Sequence, residues 1–468
     1  MGDTPFGFNR PGDDDGDGKP GDPFGMGFGM PGMPPGGDMR QFADMLRQFA
    51  DMLSGMGSGG SGPVNWEMVR NIARHLVVEA GDPSVVDAER RQVEDALRLA
   101  DLWLDEGTTL PAGIRSPKAW SRSEWLEATL PVWEKVVDPI AERMTEAMGG
   151  ALGGGENIPP EMAAMAGPLI GMVRQMAGAM VAGQAGQALG ALAKEIIGSA
   201  DVGLPLAPEG VGALLPSGVA AFAEGLEIPA DEVRLYLALR EAAHQRLFAH
   251  VPWLRSALLS AVGDYARGIS VDLSGLEEKI SGLDLSDPAA LQEALGGGEI
   301  QLTPEETPEQ KLALSRLETL LALVEGWVGV AVAAASANRL PSADRLAEAI
   351  RRRRATGGPA EHTFAALVGL ELRPRRLREA ETLWQSLTAL KGVDGRDALW
   401  SHPDLMPTAA DLEDPDAFLH SSGDDFDLSQ LEGLPPAEDQ GGDGKAVEDE
   451  DGKDKDGKGE DGKGEGPA

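Results

Sequence analysis

Glu232-Val233-Arg234-Leu235-Tyr236-Leu237-Ala238-Leu239-Arg240-Glu241-Ala242-Ala243-His244-Gln245-Arg246-Leu247-Phe248 follows Pro229 and Asp231, which open a helix. On that helix Arg240 and His244 lie one turn apart on a shared face, with Glu241 beside them. Helical spacing recurs on the N-terminal side. Asn65 caps a run in which Trp66, Val69, Ile72, Ala73, Leu76 and Val77 return every three or four residues, marking one buried face. Pro83 is expected to open a second helix with Val86, Val93, Leu97 and Trp103 inward. A third carries Trp125, Leu126, Val132, Trp133, Val136, Val137 and Ile140, bent or divided by Pro131 and Pro139. Sustained two-residue alternation of branched and aromatic residues is missing, although short strands fit around Gly212 to Ala220. The fold class is therefore mainly α, a large helical domain.

The ends of the 468-residue chain differ from its middle. Residues 1–63 are rich in Gly, Pro, Met and Asp and hold too few branched apolar residues to offset the entropy of ordering. Within this expected disordered arm, Arg40 to Leu46 repeats unchanged as Arg47 to Leu53 and reads as a short amphipathic helix, either a docking element or a transient one. Residues 433–468 form an acidic, solvated tail. The body, 64–432, is long enough for a substantial core.

Lys plus Arg number 41 against 77 Asp plus Glu, a formal charge of −36, which disfavours nucleic acid as a partner. The chain has no cysteine, so disulfides, thiolate metal sites and cysteine nucleophiles are excluded. The first residues lack a basic region followed by an apolar stretch, and a cytoplasmic protein is expected. Residues 159–198 are rich in Ala, Gly, Met and Leu, but Arg174, Gln175, Gln184 and Gln187 break the run before the roughly 18 apolar residues a membrane span needs. They read as packed core helices.

The centre of the opening helix, Arg240-Glu241-Ala242-Ala243-His244, is one residue away from His-Glu-x-x-His. In that motif two histidines a turn apart hold zinc and the glutamate activates its water. The segment joins Val251-Pro252-Trp253-Leu254-Arg255, Leu323-Val324-Glu325-Gly326-Trp327-Val328 and Gly369-Leu370-Glu371-Leu372-Arg373-Pro374-Arg375-Arg376-Leu377-Arg378. With these residues the chain resembles the zincin-like DUF2342 family of zinc-dependent metalloproteases or hydrolases, common in high-GC Gram-positive bacteria. The resemblance runs from Asn65 to Leu405 and implies a zincin-like active-site helix pair. It makes Glu241 the general base, His244 the second zinc ligand and Glu325 the third. Arg240 stands where the first ligand should be, and an always-cationic guanidinium repels a metal. Zinc or no metal, and hydrolase or pseudoenzyme, are both open readings.

Glu325 is informative by itself. Its neighbours from Leu320 to Val332 are almost all apolar, and a buried carboxylate costs several kcal/mol unless it is paired, hydrogen-bonded or bound to metal. One reading pairs it with Arg240 in an ion pair that staples two helices in place of zinc. Another makes a weak metal site from His244, Glu325 and Glu241, and a third gives these residues unrelated surface roles. The corresponding functions are a metallopeptidase-like hydrolase, or a non-catalytic helical interaction or scaffold protein meeting an unknown protein or peptide.

His250 follows His244 by six residues and reads as a cap or surface group, while His75, His362, His402 and His420 lack ligand-like spacing. Arg351 to Arg354 are four consecutive arginines, read first as a solvated helix end. The other readings of this cluster are a dock for the acidic tail and a polyphosphate or nucleic-acid site. No nucleophile elbow, P-loop or dinucleotide fingerprint is present.

Overall fold

Asn65 accepts the backbone N–H of Met68 at 3.0 Å and starts α1 (Trp66–Glu79), which buries Val69, Ala73 and Val77. The computed structural model describes residues 62–153, 160–267, 307–355, 363 and 376–421. The repeat at 40–53, most of the Gly369–Arg378 segment, His362 and the acidic tail lie outside the described residues.

α2 (Asp87–Leu104) begins beyond Pro83, correcting the expected start. The Glu89 carboxylate accepts the Val86 N–H at 3.2 Å, so the first turn is organised by Asp87 and Glu89, whose charge suits that end, rather than by proline. α3 (Arg122–Gly153) runs through Pro131 and Pro139 without dividing. α4 (Pro160–Glu195) packs against both α1 and α3.

The expectation of strands near Gly212 is met in part. β1 (Ser116–Ala119) pairs in parallel with β2 (Val211–Leu214), Ser116 opposite Val211 and Ala119 opposite Leu214. Pro216 then opens α5 (Pro216–Ala223). Four-residue strands are too short to show an alternation.

α6 (Ala230–His250) lies against α2, β2 and α5, so nothing from Tyr236 to Phe248 reaches freely into water. α7 (Leu254–Arg267) follows. α8 (Pro308–Ser336) opens on a capping box, with Thr307 Oγ1 accepting from Gln310 N at 3.1 Å and Gln310 Oε1 from Thr307 N at 3.0 Å. Apolar around its girth, it is enclosed by α6, α7 and α10 (Leu377–Ala398). Among the described helices α8 is the one long and apolar enough to cross a bilayer, and 83% of its most apolar window is buried in the fold.

α9 (Ala343–Ala355) closes over α6 and α8, and α11 (Ala409–Glu413) ends the first compact unit. The second unit begins at Asp414, and its described part is α12 (Pro415–Ser421).

Tryptophans fix the far end of α8. Trp384 stacks on Trp400 at 5.5 Å, Trp253 stacks on it at 6.0 Å, and Trp327 meets it edge-on at 6.4 Å. Asp397 binds the α2–β1 loop and α8 together, accepting from Thr108 Oγ1 at 2.6 Å, Thr109 N at 2.8 Å and Trp327 Nε1 at 2.8 Å. Its buried charge is matched by Arg396 at 2.7 Å. Gly326 permits close contact with α10, because a Cβ there would meet Glu381 N at 2.8 Å and the Ala380 Cβ at 3.0 Å.

Candidate functional site

Glu325 points out of α8 with 1% of its side chain exposed, and Arg240, Arg354 and His244 meet it. Arg240 Nη2 donates to Oε2 at 2.5 Å, so the ion pair expected between these two residues is formed. Arg354 Nη2 donates to Oε1 at 2.6 Å, and His244 Nε2 lies 2.9 Å from the same oxygen. Burial pushes the Glu325 carboxyl up, but Arg354, His244 and Arg240 together outweigh it and hold the group well below the usual carboxylate range. Burial also penalises Arg240, yet attraction to Glu325 and the contact with Tyr236 leave its proton held more tightly than usual. For Arg354 burial wins over Glu325, with Arg240 adding repulsion, and its pKa falls.

His244 Nδ1 sits 2.7 Å from the Arg240 carbonyl, which can only accept. The ring is held between that carbonyl and the Glu325 carboxylate.

Arg354 is the member of the knot that sequence reasoning missed. The solvated helix end read from Arg351–Arg354 is corrected for its second half. Arg353 Nη1 and Nη2 reach the Asp201 carboxylate at 2.8 and 3.0 Å, and Arg354 folds inward onto Glu325. Nothing in four like residues marks which of them turns toward the core.

Glu241 faces the other way. It accepts from Ser199 Oγ, from Ala200 N at 3.0 Å, from Gln245 Nε2 at 3.0 Å and from Ala213 N at 3.4 Å. Burial raises its pKa against these hydrogen bonds. A Cβ at Gly198 would stand 2.8 Å from Glu241 Oε2, so glycine there admits the carboxylate. Ser199, Ala200 and Ala213 come from a loop and a strand without any motif, and their role was invisible in the sequence. Beside Glu241 is a cavity of about 30 Å³ also touched by Arg240, His244 and Arg354, room for about one water.

His250 is exposed and donates to Ala112 O at 3.2 Å, as expected of a surface group. Arg246, on the opposite side of α6, ties that helix to α2 and its following loop through Asp101 at 3.1 Å, Asp105 at 2.8 Å and Leu110 O at 2.7 Å.

The donor set does not suit zinc. Both oxygens of Glu325 are taken by the guanidinium groups of Arg240 and Arg354, His244 Nε2 is spent on the same carboxylate at 2.9 Å, and Arg240 adds a permanent positive charge. Among the described residues no three His, Cys, Asp or Glu side chains converge as metal ligands would.

A family model described as zincin-like metallopeptidase matches residues 64–419. No curated protein matches the chain. A crystal structure from Chloroflexus aurantiacus, described as a candidate hydrolase with a novel fold, has a TM-score of 0.55 and 20% identity, covering 77% of this chain and 99% of its own. That likeness shows a shared fold.

Proposed function

The chain belongs to the zincin-like metallopeptidase family, and from that premise we propose a member that keeps the family's helix pair without its zinc chemistry. It acts as a cytoplasmic helical interaction protein for a protein or peptide partner. The observation that carries this reading is the occupation of Glu325: Arg240, Arg354 and His244 satisfy the carboxylate a metal would need. An ion pair buried this deeply holds α6, α8 and α9 together as a metal would, and specifies one arrangement of the three.

A hydrolytic reading draws on family membership and on Glu241, whose raised pKa and place beside a water-sized cavity suit a general base. Against it, each Glu241 oxygen already accepts from protein donors.

Metal content by mass spectrometry, on full-length protein purified without chelator, separates the two. The expected result is zinc far below one per chain, unchanged by His244→Ala. One zinc per chain, lost in His244→Ala, would overturn the proposal.

A further inference from the structure

α1 and α4 lie side by side and run in the same direction, because Pro63, Ile72 and Leu76 meet Gly178, Gly186 and Gly190 in turn. A Cβ at Gly186 would stand 2.7 Å from the Ile72 Cβ, and one at Gly190 would stand 2.9 Å from Leu76 Cδ1, so glycine lets the two helices close up along this seam. An open groove follows the seam, lined by Ile72, His75 and Leu76 of α1 and by Gln187, Ala191 and Lys194 of α4. Among the described residues lining it none is acidic, and its one lysine, Lys194, stands at the far end from Pro63. Toward Pro63, Met68 and Met180 are 37% and 58% exposed and continue the outward faces of the two helices at helical spacing.

The chain enters α1 at this same end, and the sequence before it supplies a matching shape. Arg40 to Leu53 contains neither Gly nor Pro, whereas residues 1–38 are interrupted by both throughout. Phe42, Met45, Leu46, Phe49, Met52 and Leu53 share one stripe at helical spacing, and Arg40 and Arg47 cancel the charge of Asp44 and Asp51 on the other side. A helix of this length is marginal in water and needs a surface to cover its stripe. From Phe42 to Leu53 the stripe would extend about 16 Å, as does the face of α4 from Met180 to Ala191. The connecting residues, Ser54 to Ser61, are Gly and Ser with one Met, a composition that spans roughly 16 Å on average. Ile72 and Leu76 lie about 9–15 Å along α1 from Trp66, within that reach. An acidic tail suits the groove poorly, since its carboxylates would find a single lysine there.

We infer that the repeat from Arg40 to Leu53 docks as an amphipathic helix along the α1–α4 groove of its own chain. Phe42, Met45, Phe49 and Met52 cover Ile72 and Leu76, and the short connection keeps the arm at high local concentration over the groove. No residue of the Glu325 site takes part, so the inference stands apart from the question of metal.

The chain holds no cysteine, so a pair introduced by Gln48→Cys and Gln187→Cys is the sole target of a short bismaleimide in full-length protein. Peptide mapping of the monomer identifies the link within one chain. That pair should link about tenfold faster than a control pair, Gln48→Cys with Glu209→Cys, whose second site is exposed and outside the groove. Phe42→Asp with Phe49→Asp should bring the rate down to that of the control, in a variant whose body is unaltered, and Ala191→Glu at an exposed groove position should do the same. Equal rates for the two pairs, or a rate that ignores Phe42→Asp with Phe49→Asp, overturns the docking. Links found only between chains place a second copy in the groove and overturn it as well.

Discussion

Glu325→Gln and Arg240→Met remove opposite halves of one ion pair, and the structure makes them unequal. Glutamine at 325 leaves the buried guanidinium groups of Arg240 and Arg354 facing one another beside His244 without the carboxylate that joins them. Stripping a buried pair of one partner costs about 3–5 kcal/mol, and two abandoned guanidinium groups place this variant near the top of that range. Methionine at 240 removes one charge-assisted hydrogen bond, about 1.5–3 kcal/mol, but Glu325 keeps Arg354 at 2.6 Å and His244 at 2.9 Å. The unbranched methionine also fills the space of the arginine stem. Equilibrium urea unfolding at neutral pH, followed by tryptophan fluorescence, measures both losses. The expected order is Glu325→Gln more destabilised than Arg240→Met by about 2 kcal/mol. If Arg240→Met is the worse variant, or the two are equal, Glu325 is not the hub and the reasoning fails.

Three further outcomes follow from the geometry. Because the folded pKa of Glu325 lies below its ordinary 4.5, its stabilisation is present above that value and lost as pH falls beneath it. Urea midpoints should therefore decline on acidification more steeply in the wild type than in Glu325→Gln, and parallel curves would contradict this. Glu241, raised by burial, acts in the opposite sense, its contribution fading as pH climbs through the folded value. Asp397→Asn should cost about 3–5 kcal/mol in urea unfolding by leaving buried Arg396 without its negative partner; a change below about 1 kcal/mol would show the pair to be dispensable. Gly326→Ala should cost about 1–3 kcal/mol through the clash with Ala380 and Glu381, visible in thermal unfolding, and a neutral result would show that α10 gives way.

The parts legible in the sequence were those that local spacing encodes. Asn65 and the period after it specified α1, and the apolar surroundings of Glu325 specified its burial and its need for a partner. Arg240 and His244, one turn apart, pointed to one face, and they meet one carboxylate. What escaped is non-local. Arg354 arrives from a helix whose approach no pattern announces, and the cradle of Glu241 is made by backbone N–H groups of Ala200 and Ala213, which any residue type supplies. Pro83 misled because proline marks a chain entering a helix only when the next residues cap it, and here Glu89 does that work later. Pro131 and Pro139 do not divide α3, because packing on α1, α4 and α7 holds it continuous despite the lost backbone donors.

The enclosed helix α8 has a consequence for how the protein is made. It leaves the ribosome well before α10, whose Ala380, Leu383, Trp384 and Leu387 complete its enclosure. During that interval a long greasy rod stands partly uncovered, and neighbouring nascent chains compete with its own C-terminal partner to cover it. Conditions that slow synthesis of the stretch between them should send more of the product into aggregates than any weakening of the finished fold.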